Sequence, residues 1–143
     1  MIRLALVTDL QAINAFDIFA GNRLLEVVDN HMFVSETDNQ VVGYVSWLPK
    51  GFIGHNFISY LGVDPRCQRR GHGRALLHAA QAAIGSGRIY VSADENNSTM
   101  LAFLPVEGWT FAGQVAGVHE HDRAELFFYK DHCLTGDTTT NGA

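Results

Sequence analysis

Val63-Asp64-Pro65-Arg66-Cys67-Gln68-Arg69-Arg70-Gly71-His72-Gly73-Arg74 is the stretch from which the architecture can be worked out. The apolar run Phe57 to Val63 that leads into it reads as a strand stopped by Asp64 and Pro65, and Gly71 to Ala83 reads as an amphipathic helix. A strand entering a helix through a basic, glycine-containing loop is an anion-binding arrangement. Free amide N–H groups at a helix start point outward with the positive end of the dipole behind them, and Gly71 and Gly73 let an oxygen approach the backbone. Arginines add charge-assisted hydrogen bonds.

Arg66, Arg69, Arg70 and Arg74 fall within nine positions of a chain with 10 Lys and Arg against 15 Asp and Glu, net charge -5. A nucleic-acid binder spreads its cations along many phosphates, whereas this concentration suits one compact phosphate group. A chain of 143 residues is long enough for one domain with a sizeable core and short for two. With 47% hydrophobic and 17% charged residues it is not a disordered chain. No apolar run approaches the roughly 18 residues of a membrane span. Met1-Ile2-Arg3 does not begin a signal peptide, so a cytoplasmic protein is expected, with no nucleic acid and no membrane as partner. Cys67 and Cys133 make neither a disulfide framework nor a metal spacing, so reduced thiols and no metal are expected.

Working outward, Ile2 to Val7 reads as a strand, and Thr8 with Gln11 as a capping box starting a helix through about Phe19, with Leu10, Ile13 and Phe16 as its stripe and Asp17 at the edge. A second short helix is expected over Arg23 to Asn30. His31 to Glu36 and Gln40 to Leu48 read as a hairpin around Thr37-Asp38-Asn39; the second strand is apolar on both faces and should be covered on both sides. Pro49 to Asn56 reads as a loop. In the central helix Ala75, Leu76, Ala79, Ala80 and Ala83 share one face. Arg88 to Ser92 reads as a strand, Ser98 to about Leu104 as a helix ending near Pro105, and Trp109 to Val115 and Ala124 to Lys130 as two more strands. Phe127-Phe128-Tyr129 is expected in a core strand or at a homodimer edge. His119-Glu120-His121 lacks zinc-ligand spacing and reads as a solvated loop. The domain is expected over 1–132, with a disordered tail over 133–143.

Gln68-Arg69-Arg70-Gly71-His72-Gly73 resembles the acetyl-CoA signature of the GNAT N-acetyltransferase superfamily, and Asn97 to Trp109 has the spacing of that family's later motif. The resemblance covers roughly residues 1–130. It implies an α/β fold with a mixed, mostly antiparallel central sheet and helices on both faces, and acetyl-CoA as cosubstrate. It further implies that backbone groups of Leu61 and Val63 pair with the pantetheine arm, that the backbone of Gln68, Arg69, Arg70, Gly71, His72, Gly73 and Arg74 holds the pyrophosphate, and that Asn97 contacts the cofactor from across the cleft. A Rossmann dinucleotide site fits less well, because Leu76 occupies the third small position and the glycines do not follow the strand directly.

The activity implied is direct attack of a primary amine, on a small molecule or a peptide, at the acetyl-CoA thioester. Two family helpers are missing: Phe57 to Val63 contains no carboxylate to act as base, and Leu104 stands where many members have a tyrosine acid. A thiol with pKa near roughly 8.5 leaves without much help, so the missing base matters more for an amine of pKa about 10. Candidates are Asp17, which could instead pair with a nearby arginine, His55 in the loop before the strand, and Tyr60 on it. The same absences leave open a non-catalytic acyl-CoA-binding or regulatory module.

Overall fold

Seven strands pair into one sheet: β1 (Ile2–Leu4), β2 (Met32–Thr37), β3 (Gln40–Phe52), β4 (His55–Val63), β5 (Gly87–Asp94), β6 (Thr110–Val115) and β7 (Glu125–His132), in the order β1-β2-β3-β4-β5-β7-β6. These come from a computed structural model that describes residues 1–19 and 21–132; Cys133 and the tail expected to be disordered lie outside the described residues. Every neighbouring pair is antiparallel except β4 with β5. The helices are α1 (Leu10–Asn14), α2 (Leu24–Val28), α3 (His72–Ile84) and α4 (Ser98–Val106). None of them is long and apolar enough to cross a membrane.

The two faces of the sheet carry different helices. Ile13 of α1 and Val27 of α2 pack with Met32, Val34, Tyr44 and Tyr60 on one face. On the other, Leu76, Leu77 and Ala80 of α3 and Leu104 of α4 pack with Val45, Trp47, Ile58, Ile89, Val91 and Phe128. The double cover explains why β3 is apolar on both faces from Val42 to Trp47, all of them buried. This is the mixed, mostly antiparallel sheet with helices on both faces that the family resemblance implied.

Four local expectations are corrected. The first helix is short: a 3-10 turn at Val7–Asp9 precedes α1, and the Asp9 carboxylate, not Thr8, accepts the Leu6 N–H at 2.7 Å. Pro49 to Asn56 is not a loop. Pro49, Lys50 and Gly51 form an irregularity in β3, where a residue without an N–H costs no ladder bond, and pairing resumes at Phe52 opposite His55 across a two-residue turn of Ile53 and Gly54. The buried face of α3 is Leu76, Leu77, Ala80 and Gln81, while Ala75 and Ala83 are exposed. Burying two leucines at roughly 1.5–3 kcal/mol each outweighs the alanine methyls and tolerates Gln81, whose Nε2 is buried without a hydrogen-bond partner. α4 ends at Val106, one residue past Pro105, as expected; in the last turn the missing N–H forfeits a single bond. His119 is not simply solvated: its Nε2 lies 2.6 Å from Glu125 Oε1. The hairpin at Asp38-Asn39 forms as its residues demand, with φ of 51° and 62°.

Candidate active site

The two central strands part. β4 and β5 pair only from Asn56 opposite Ile89 to Ile58 opposite Val91, and beyond that vertex Ser59 to Val63 have no strand on that side. Opposite β3, Ser46 faces Tyr60 and Trp47 faces Ile58, so Ser59 is the extra residue of a bulge at the vertex. The Asp64 N–H donates to the Val42 carbonyl at 2.7 Å. That bond makes Val63 opposite Gly43 a pair that exchanges no hydrogen bonds with each other, so the N–H and C=O of Val63, and of Leu61 in the same phase, point away from β3 into the gap. Gln68 Nε2 meets the Val63 carbonyl from that side at 3.4 Å.

At the end of this edge the chain forms a 3-10 turn, Pro65–Cys67, capped by the buried Asp64 carboxylate, which accepts the Arg66 N–H at 3.0 Å. Gly71 is the N-cap of α3 at φ +86°, where a side chain would be strained, and a Cβ there would meet nothing within 4 Å. The first intrahelical bond is Ala75 N–H to the Gly71 carbonyl, leaving the amides of His72, Gly73 and Arg74 at the mouth of the gap. His72 is held from behind, its Nδ1 2.8 Å from the Ser35 hydroxyl.

The four arginines are not equivalent. Arg66 donates to Asp64 through Nε at 3.2 Å and Nη2 at 2.7 Å, which holds the Asp64 carboxyl below its ordinary range. Arg74 donates to Glu107 at 3.3 Å, and His78 contacts the same oxygen at 2.8 Å. Arg69 and Arg70 are exposed and have no protein partner among the described residues. Across the gap Asn97 caps α4, accepting the Met100 N–H at 3.1 Å. On the far flank of the loop, between α1 and the β2–β3 hairpin, a cavity of about 640 Å³ has Arg66, Cys67 and Arg70 on its wall, but it is separate from the gap.

The residues weighed as catalytic candidates fall in three places. Tyr60 lies just past the bulge on the α1 face, with the Arg23 guanidinium 3.6 Å from its ring centroid and Phe19 packed beside it. The Asp17 side chain is only 4% exposed; it accepts the Tyr44 hydroxyl at 2.8 Å and the Phe19 N–H at 3.2 Å and faces Arg23 at 3.5 Å. Burial, then the hydrogen bond to Asp17, push the Tyr44 phenol far above its ordinary range. His55 starts β4 beside the β3–β4 turn, against Tyr90, on the other side of the vertex from the Gly71 loop. The structure therefore joins Tyr60 and Asp17 through Arg23 and leaves His55 apart. Leu104 is fully buried in the core.

A second polar group at the vertex escaped the sequence reading. Ser92 is the first residue of β5 beyond the last β4 pair, and it faces the α1 side because its neighbours Val91 and Ala93 are buried on the other. Its hydroxyl donates to Glu125 Oε2 at 2.6 Å, and Glu125 Oε1 contacts His119 Nε2 at 2.6 Å. Beside them Arg123 donates to Asp94 at 3.0 Å; the Asn96 N–H, then Arg123, hold the Asp94 carboxyl below its ordinary range. The signal available was slight: a serine interrupting the apolar Ile89-Tyr90-Val91, and a glutamate at the head of Leu126-Phe127-Phe128.

The sequence model described as an acetyltransferase (GNAT) domain matches residues 28–132. Comparison with curated proteins gives no match. Among solved structures, a GNAT-family acetyltransferase from Bacillus cereus superposes with TM-score 0.79 at 23% identity, over 92% of this chain and 96% of that one. The ribosomal-protein-S18-alanine N-acetyltransferase of Escherichia coli gives 0.76 at 15% identity, over 96% and 97%. A protein from Bacillus anthracis assigned as a streptothricin acetyltransferase, solved in complex with acetyl coenzyme A, gives 0.62 at 18% identity, over 71% and 61%. At these identities the likeness is one of fold.

Proposed function

The chain belongs to the GNAT acetyltransferase family, and from that premise we propose that it transfers an acetyl group from acetyl-CoA to a primary amine of a small molecule or a peptide by direct attack. The observation that carries this reading is the continuity of the gap with the loop: the outward backbone groups of Leu61 and Val63 lead to a helix start with a left-handed Gly71, three unbonded amides and two unpartnered arginines. The residues fit the group. The β4 edge suits an amide-bearing pantetheine arm laid beside it as an added strand, and the amides with Arg69 and Arg70 suit the pyrophosphate. Bound there, acetyl-CoA supplies an activated thioester. The chain's own part is to fix the arm along β4, to bring the acceptor over the α1 face at the vertex, and to take up the acceptor's proton.

The balance is simple. The amine nitrogen forms a bond to the carbonyl carbon, the C–S bond breaks with its electron pair left on sulfur, and the thiolate takes a proton as CoA departs. Thiol release from acetyl-CoA, measured across polyamines, amino acids, aminoglycosides and short peptides, tests the reading; amine-dependent release is the expected result. A second reading, a non-catalytic acyl-CoA-binding module, is favoured by the buried Leu104 and the lack of a carboxylate on β4. It requires CoA binding without release for every amine.

A further inference from the structure

The proposed transfer needs a proton acceptor at the vertex, and the groups there differ in whether they are free to serve. Asp17 is already committed to the Tyr44 hydroxyl, the Phe19 amide and Arg23, and protonating it would remove the negative charge that faces a buried guanidinium. Ser46 and Ser59 bond to each other at 3.0 Å and lead to no charged group among the described residues. Ser92 is different: it stands at the vertex, half-buried, with its hydroxyl on a carboxylate whose other oxygen is held by an imidazole. We propose that Ser92 and Glu125 form the proton relay of this enzyme, with His119 as the positioning residue that holds Glu125 Oε1 so that Oε2 faces Ser92. The proposal rests on the acetyl-transfer reading above.

In the step, an acceptor arriving as an ammonium gives one proton to Ser92 Oγ while Ser92 passes its own to Glu125 Oε2. The freed nitrogen pair then attacks the thioester carbonyl carbon; the second proton goes to the departing thiolate, and Glu125 returns its proton to solvent. Ammonium and acetyl-CoA thus become amide, CoA thiol and one released proton. The groups around Glu125 are Ser92 and Asp94 from β5 and His119 and Arg123 from the β6–β7 loop, with His119 Nε2 also 3.8 Å from Asp94 Oδ2, and next in the chain to Asp94, Glu95 accepts the Ala124 N–H at 2.7 Å. From β6 the opposing residue is Val115, which is uncharged. The chain of contacts spans β5, β7 and the loop between β6 and β7, so it is assembled only by the fold.

The test compares Glu125→Gln, Glu125→Asp and Ser92→Ala with the parent, using acetyl-CoA and the best amine of the panel above, from about pH 6.5 to 9.5. CoA affinity is measured alongside by calorimetry. The relay requires Glu125→Gln to lose about 10²-fold in kcat/KM near neutral pH with CoA affinity unchanged. The deficit must shrink as pH rises toward the amine's own pKa of about 10, because an already neutral amine needs no base. Glu125→Asp should recover part of the rate, and Ser92→Ala should show the same pH-dependent deficit. Parental rates in Glu125→Gln, a deficit constant with pH, or a parallel loss of CoA affinity would overturn the relay alone. Absence of turnover by the parent with every amine would overturn it together with the transfer reading.

Discussion

Arg69 and Arg70, replaced by alanine singly and together, give the most discriminating perturbation of the proposed phosphate loop. Arg66 is already engaged by Asp64 through two nitrogens and Arg74 by Glu107, whereas Arg69 and Arg70 have no protein partner among the described residues. A direct charge-assisted contact to a phosphate oxygen contributes about 1.5–3 kcal/mol, and each 1.4 kcal/mol is tenfold in affinity. Each single substitution should therefore weaken CoA about 10- to 150-fold where its contact is direct. Arg66→Ala should cost less, because that guanidinium must leave Asp64 to gain a phosphate. Calorimetric titration with CoA and with dephosphorylated pantetheine separates the contributions: the losses belong to CoA and should be small with pantetheine. The parent's advantage should also contract as salt rises, since both arginines are exposed to a screening solvent. Gly71→Val adds an independent arm. At φ +86° the side chain costs roughly 1–2 kcal/mol of strain, but it meets no protein atom within 4 Å, so stability should fall modestly while CoA binding is blocked. If the Arg69 and Arg70 variants bind CoA like the parent, or lose pantetheine equally, the loop is not the phosphate site.

Tyr44→Phe removes the hydroxyl that Asp17 accepts in a pocket where both side chains are buried, and it should destabilise the fold by about 1.5–3 kcal/mol in urea unfolding; a change under about 0.5 kcal/mol would mean Arg23 and the Phe19 amide satisfy the carboxylate without it. The hydrogen bond from Arg3, then that from the Leu6 amide, hold the Asp9 carboxyl below its ordinary range against the opposing effect of burial. Because the folded value is the lower one, this stabilisation is fully present above the unfolded carboxyl's pKa of about 3.9 and is lost as pH falls through the folded value. Asp9→Asn should flatten that acid limb in a pH series of thermal melts, and an unchanged limb would assign it to other carboxylates.

Local chemistry carried much of this protein. The Asp38-Asn39 turn, the stop at Asp64-Pro65, the glycine that opens α3 and the Asn97 cap of α4 each act within a few residues, so backbone preference and capping were legible in the residues themselves. The loop proposed for the pyrophosphate belongs to that class, because a helix start is built from consecutive amides. Distance along the chain is what hid the rest. Which face of α3 is buried depended on the volume waiting for Leu77 beneath it, and Pro49 to Phe52 became strand because Phe52 could stack on Phe57 and Phe127. Asp17 meets Tyr44 across 27 positions and Ser92 meets Glu125 across 33, separations at which no periodicity speaks. The parting of β4 from β5 after three paired residues, which makes the cleft, is likewise a property of the whole twisted sheet rather than of either strand. The sequence by itself thus determined the order of elements and the basic, glycine-opened start of α3. Only the tertiary structure decided which arginines remain free and which carboxylates are spent on the fold, because those outcomes rest on contacts between residues far apart in the chain.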